Sequence, residues 1–285
     1  MKSTSCTSKP TTPQALLAGS SIDLGKVRGI IFHGCRRWGE YIMAPVGLVI
    51  FLLLWSLVVK LGQYPTFILP GPGQVYDRLL VTLADGTLWK HSETTLLEMF
   101  AGLALGVSVA ICLGYVLAKF PLLERLLSPY IVASESIPIV ALAPLLVIWF
   151  GFGELSKTLI CALIVFFPVL VTTIVGIRSV EKDLRDLMRS LQASRWQTFA
   201  MLEVPAALPM LLGGLKMAVT LSVIGAVVGE FVGADRGLGA LINIGRGLMD
   251  TPLMFVALFT LVAIALTLYG IVAVIEHRVL AWQRK

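Results

Sequence analysis

Long apolar runs separated by short clusters of charge constrain this chain more than any other feature. Residues 41–59 contain no charged side chain, and comparable runs recur at 94–118, 129–150, 158–177, 206–231 and 251–275. A helix needs about 20 predominantly apolar residues to cross the hydrocarbon core of a bilayer. Inside lipid every backbone N–H and C=O must find a partner within the protein, which leaves helices or closed barrels. Runs of this length predict helices, and the fold class is an all-α membrane protein with about six spans. Composition agrees. The chain is 57% hydrophobic and 14% charged, against about 25% charged for a soluble domain.

The runs divide the chain. Residues 1–40 are rich in Ser, Thr, Lys and Arg and read as a cytoplasmic leader. A surface-lying helix is expected near 24–38, with Arg36 and Arg37 at the headgroups. No small-residue cleavage pattern follows the first run, so it does not read as a signal peptide. The first span covers 41–61. An extracytoplasmic loop follows at 62–93, marked by Pro65, Pro70 and Pro72, with a short helix expected after the prolines. The core occupies 94–275, with a tight turn at 151–157, a polar loop at 178–205 and a glycine-rich loop at 233–247, and 276–285 form a cytoplasmic tail. Of 23 Lys and Arg residues, sixteen lie in 1–40, 119–128, 178–205 and 276–285, against six in the alternate connections. This positive-inside bias places both termini in the cytoplasm. It also accounts for the net charge of +6 without a nucleic-acid partner.

Absent motifs narrow the function. Cys6, Cys35, Cys112 and Cys161 show no CxxC or Cys/His spacing, so neither a zinc site nor a disulfide framework is indicated. No GxxxxGK[ST] phosphate loop occurs. No HExxH or similar cluster marks a membrane-embedded enzyme, and no catalytic residue is assigned. A secondary transporter or channel would call for a dense set of buried acids or an internal repeat, and neither is seen.

The 178–205 loop is the informative segment. Leu184, Leu187, Met188 and Leu191 recur at helical spacing, with Arg185, Asp186 and Arg189 on the other side. Ser194 is placed to cap a second helix, with Gln197 three residues on. Pro205 is expected to end that helix and Pro209 to enter the membrane. Such a pair offers an apolar stripe for a partner.

This segment resembles the EAA loop of binding-protein-dependent ABC importer permeases, which runs Glu-Ala-Ala, three residues, Gly, nine residues, Ile-x-Leu-Pro. Asp186 stands at the Glu position, Leu187 and Met188 replace the alanines, and Gln192 replaces the glycine. Leu202, Val204 and Pro205 stand at the Ile, Leu and Pro positions. Residues 65–275, including "IPIVALAPLLVIWFGFGELSK" and "AVVGEFVGADRGLGALI", resemble the branch importing nitrate, sulfonates, taurine, and pyrimidine or flavin compounds. The resemblance implies a type I ABC importer transmembrane domain in a prokaryotic inner membrane. It implies a permease pair, expected to be a homodimer, two cytoplasmic ATP-binding subunits that bind ATP and Mg, and an extracytoplasmic substrate-binding protein. The solute would be small, anionic or heterocyclic, and moved inward by alternating access. The loop becomes the coupling helix, and Ala193 and Ser194 join Leu184, Arg189, Leu191 and the motif positions as ATPase-coupling residues.

Ionisable groups within spans are costly and therefore candidates for the translocation pathway. Lys216 lies well inside its run and either lines the pathway or snorkels to the interface. Glu230 either lines the mouth or meets headgroup water. Glu98 and Glu135 read as interfacial carboxylates, with Glu135 a pathway candidate. Pro138 and Pro144 free backbone carbonyls in the third span, as in the broken helices of transporters. Gly102, Gly106 and Gly114 read as a close-packing face. His33, His91 and His277 are isolated, with no ligand role.

Overall fold

The computed structural model describes residues 46–281. The leader with its expected helix, its cysteines and His33, the start of the first span and the end of the tail lie outside the described residues. The chain divides into two compact units, Met1–Leu57 and Val58–Lys285. The boundary falls within helix α1, Val46–Gly62, an apolar helix too short to count among the longer candidate spans.

Among the described residues there are helices and short connections, and no strands. After α1 come α2 (Pro72–Ala84), α3 (Thr87–Lys119), α4 (Pro121–Glu135), α5 (Ile139–Phe150) and α6 (Glu154–Arg178). Then follow α7 (Lys182–Ser190), α8 (Arg195–Thr198), a π-helical turn (Phe199–Glu203), α9 (Val204–Gly233), α10 (Leu238–Gly247) and α11 (Thr251–Val279). α3, α6, α11 and the continuous stretch Arg195–Gly233 are each long and apolar enough to cross a membrane. The bent pair α4–α5 makes a fifth if taken as one span.

Local chemistry sets several boundaries. Pro72 sits in the first turn of α2, and the Gln74 side chain accepts the Gly71 N–H at 3.0 Å. Before α3, Asp85 accepts the Thr87 N–H at 2.8 Å, and that hydrogen bond holds its carboxyl below the usual carboxylate range. The short helix expected after the prolines of the 62–93 stretch is α2. Helix α3 begins at Thr87 rather than Thr94.

Three further expectations are corrected. The third span begins at Pro121 rather than Pro129, and α4 and α5 meet at 92°. The break is at Pro138, which keeps Ile137 from continuing the helix. Pro144 lies inside α5 without breaking it. Pro205 does not end a helix, because the π-helical turn before it widens the backbone and Pro205 stands in the first turn of α9, where its missing N–H is harmless. The glycine-rich loop at 233–247 contains α10, whose first N–H groups are satisfied by side chains of other helices.

α6 packs against both α3 and α9 to form the core. Ala110, Leu117, Val165, Val169, Leu170 and Ala218 are its buried centre. Gly106 allows the α3–α6 approach, since a Cβ there would lie 2.6 Å from the Ala162 carbonyl oxygen.

Candidate functional site

The core has two polar ends. Thr95, Glu98, Lys157 and Glu230 mark the end near α10. Lys119, Arg178 and Glu203 mark the end near α7, about 36 Å away along α3 at 1.5 Å per residue.

At the α10 end the polar groups are sealed. Glu98, 2% exposed, accepts a hydrogen bond from Lys157 Nζ at 2.6 Å. Glu230 is fully buried. One of its oxygens accepts from Thr95 Oγ1 at 2.6 Å and the other from the Gly239 N–H. Thr95 Oγ1 in turn accepts the Leu238 N–H at 2.8 Å, and His91 Nδ1 contacts Gly237. The first turn of α10 is thus capped by α3 and α9. Gly237 has φ of +117°, and a Cβ there would lie 2.2 Å from the Glu230 carboxylate. Glu98 is paired with Lys157, and the full burial of Glu230 sets aside the reading in which it meets headgroup water. Sequence reasoning missed Lys157, Thr95 and His91. A lysine opening one apolar helix and a glutamate inside another is the pattern that could have paired them.

At the α7 end the arrangement is open. α7 carries its apolar residues outward, with Leu184 and Leu187 exposed and Met188 half-buried. Asp186 and Arg189 pair at 3.1 Å along its polar side. Leu191 ends α7, and Gln192 follows with φ of +54°, a left-handed turn in which Ala193 N–H donates to the Met188 carbonyl at 3.0 Å. Ser194 and Gln197 form the reciprocal capping box that starts α8. Leu202, Val204 and Pro205 are half-buried where the chain enters α9. The segment is anchored to the core by Glu203, which is buried and bonded to Lys119 and to Tyr115 Oη at 3.3 Å. Arg185 donates to the Ile177 carbonyl at 2.7 Å, and Arg178 pairs with Glu124. Trp196 and Met201 remain 72% exposed, and Leu191 68%.

The pathway candidates are not brought together. Glu135, Pro138 and Pro144 are exposed on the bent α4–α5 pair. Lys216 pairs with Glu276 of α11 at 2.5 Å, and Glu230 belongs to the α10 end. Among the described residues no three His, Cys, Asp or Glu side chains cluster as a metal site.

Comparison with known proteins places this architecture. Residues 102–281 match the family described as binding-protein-dependent transport system inner membrane component. The riboflavin transport system permease protein RibX of Chloroflexus aurantiacus is 47% identical over 84% of this chain and 89% of its own length. The formylaminopyrimidine transport permease ThiX of Halalkalibacterium halodurans is 34% identical over 82% of this chain and 93% of its own. The taurine permease TauC of Escherichia coli is 31% identical over 86% and 92%. In fold, the chain resembles a subunit of the inward-facing MetNI methionine ABC transporter, with a TM-score of 0.58 at 21% identity over 70% of this chain and 96% of that one. The relatives are named as permeases of transport systems for small solutes, the family description places its members in the inner membrane, and the ATPase of such systems is a separate subunit. This chain belongs to the binding-protein-dependent transport system inner membrane component family and is the multi-pass permease subunit of an ATP-driven ABC importer.

Proposed function

We propose that two copies of this chain form a homodimeric pathway, with both termini cytoplasmic and the α7–α8 segment docked on one of two ATP-binding subunits. Those subunits bind ATP and Mg. A binding protein delivers solute to the α10 end. The observation that carries this reading is the exposed row Leu184, Leu187, Leu191, Trp196 and Met201, held on a segment that Glu203 and Arg185 tie to the core. Apolar side chains held in fixed geometry outside the spans suit a protein groove. The tether would carry movement of the partner into α9. Asp186 and Arg189 flank the row, and Gln192, Ala193, Ser194 and Val204 set its backbone path.

The solute is an aromatic heterocycle of the flavin or pyrimidine kind. The 47% identity to RibX supports that class over taurine, to whose permease identity is 31%. The test is uptake into proteoliposomes containing the permease, its ATPase and its binding protein. Riboflavin uptake should exceed taurine uptake at least tenfold. Taurine uptake equal to or above riboflavin uptake would refute the substrate class. Leu187→Asp should abolish ATPase copurification and uptake together. Asp186→Ala and Arg189→Ala should lower uptake while membrane insertion stays normal, and normal uptake in all three variants would refute the docking role.

A further inference from the structure

Two cavities adjoin at the α7 end. One, of about 560 Å³, is almost wholly apolar, walled by Ile111, Ile177, Phe199 and Leu211 from α3, α6, the π-helical turn and α9. The other, of about 760 Å³, is ringed by Lys119, Arg185, Arg189 and Arg195, with Glu203 the lone acid. They share Tyr115 and Arg195, so an apolar chamber and a cationic one meet at the same two side chains.

The cations are unequally answered. Glu203 is committed to Lys119 and Tyr115. Asp186 is committed to Arg189. Arg195 makes no ion pair among the described residues. Among the described residues the Arg185 side chain reaches only the Ile177 carbonyl, and its buried Nε has no hydrogen-bond partner there. Arginine forks suit phosphate oxygens. A free anion would have no use for the apolar chamber next door, whereas an amphiphile would fill both. The cavities lie where the spanning helices α3 and α6 end and α9 begins, and the ends of spanning helices are where basic side chains meet headgroups.

We propose that the paired cavities hold an anionic phospholipid, its phosphate between Arg185, Arg189 and Arg195 and an acyl chain against Ile111, Ile177, Phe199 and Leu211. The lipid would brace α7 and α8 against the ends of α3 and α6.

Trp196 lines the apolar chamber and reports on it. The full-length permease in detergent is titrated with phosphatidylglycerol or phosphatidylcholine carrying brominated chains. The Trp196 contribution is taken as the difference from Trp196→Phe. Phosphatidylglycerol should quench Trp196 at a mole fraction at least tenfold below phosphatidylcholine. Arg195→Gln and Arg185→Gln should each raise that mole fraction roughly fivefold, the change that ~1 kcal/mol per basic side chain near an anionic membrane represents. Arg278→Gln removes the same charge elsewhere and should change nothing. Equal quenching by the two lipids would overturn the proposal, as would equal losses in all three variants. Displacement by millimolar inorganic phosphate would assign the cavity to a free anion instead. Loss of the preference on adding the ATPase would assign it to an acidic surface of that partner. Arg195 is an exposed first-turn residue, so its variant keeps the fold. The assay needs no transport, and its failure leaves the importer reading intact.

Discussion

The two ends of the α3–α6–α9 core bury acids in different ways. At the α10 end both partners of the ion pair are inside, with Lys157 and Glu98 side chains 10% and 1% exposed. At the α7 end Glu203 is as deeply buried, but the side chain of Lys119 is 38% exposed. The α10 end is closed by its own chain, since Glu230 and Thr95 cap a helix that lacks a local cap. The α7 end leaves apolar side chains and arginines uncovered. A self-closed end holds helices in register, whereas an open end leaves room for another molecule to bear on them.

The largest expected effect is at the closed end. Glu98→Ala strands the Lys157 charge where water does not reach, and should cost about 3–5 kcal/mol. Thermal unfolding in detergent reads this as a large fall in midpoint. Glu98→Leu with Lys157→Met should recover most of the loss, because replacing both partners by apolar groups removes the stranded charge. If the single variant is as stable as the parent, the end is wetter than its geometry indicates.

The open end should respond asymmetrically. Lys119→Ala leaves the Glu203 carboxylate buried with only Tyr115 as a partner, and should cost about 3 kcal/mol. Glu203→Ala leaves a lysine that can turn to solvent, and should cost about 1 kcal/mol. Equal losses in the two variants would mean that both ends are closed alike, and the contrast would fail.

How much of this was legible depended on the range of the chemistry. The Ser194–Gln197 capping box is a four-residue pattern, and it was read correctly from spacing alone. The spans were visible because lipid demands long apolar runs. The Glu98–Lys157 pair joins residues 59 apart, and no local rule connects them. The sequence puts Lys157 in a tight turn, whereas α6 already begins at Glu154. α10 was hidden for the same reason. Its sequence is glycine-rich, and its caps come from residues up to 146 positions away. Glu203 lay inside a recognised motif, but at a position the motif leaves free, so nothing in the sequence marked it as the tether.

A smaller effect concerns Gln192. Its φ of +54° is a left-handed conformation that costs a residue with a Cβ roughly 1 kcal/mol relative to glycine. Glycine also stands at this position in the EAA pattern. Gln192→Gly should therefore stabilise the protein by up to about 1 kcal/mol, read by the same melting assay. A gain confined to the complex with the ATPase would show that the partner, rather than the permease, selects this turn. That result would sharpen the view of the α7 end as shaped by what covers it.

The smallest effect lies between the two ends. Lys216 and Glu276 pair across α9 and α11 with side chains 22% and 24% exposed. Lys216→Met should cost about 0.5–1 kcal/mol. The loss should be small because Glu276 stands in the last turn of α11, where the carboxylate left behind can turn toward the interface. If the pair only ties the two helices, the uptake KM should stay unchanged. A KM several-fold higher with an unchanged melting midpoint would place Lys216 in contact with the solute. The middle of α9 would then be a third kind of region, neither closed by its own chain nor covered by a partner, but open to what the importer carries.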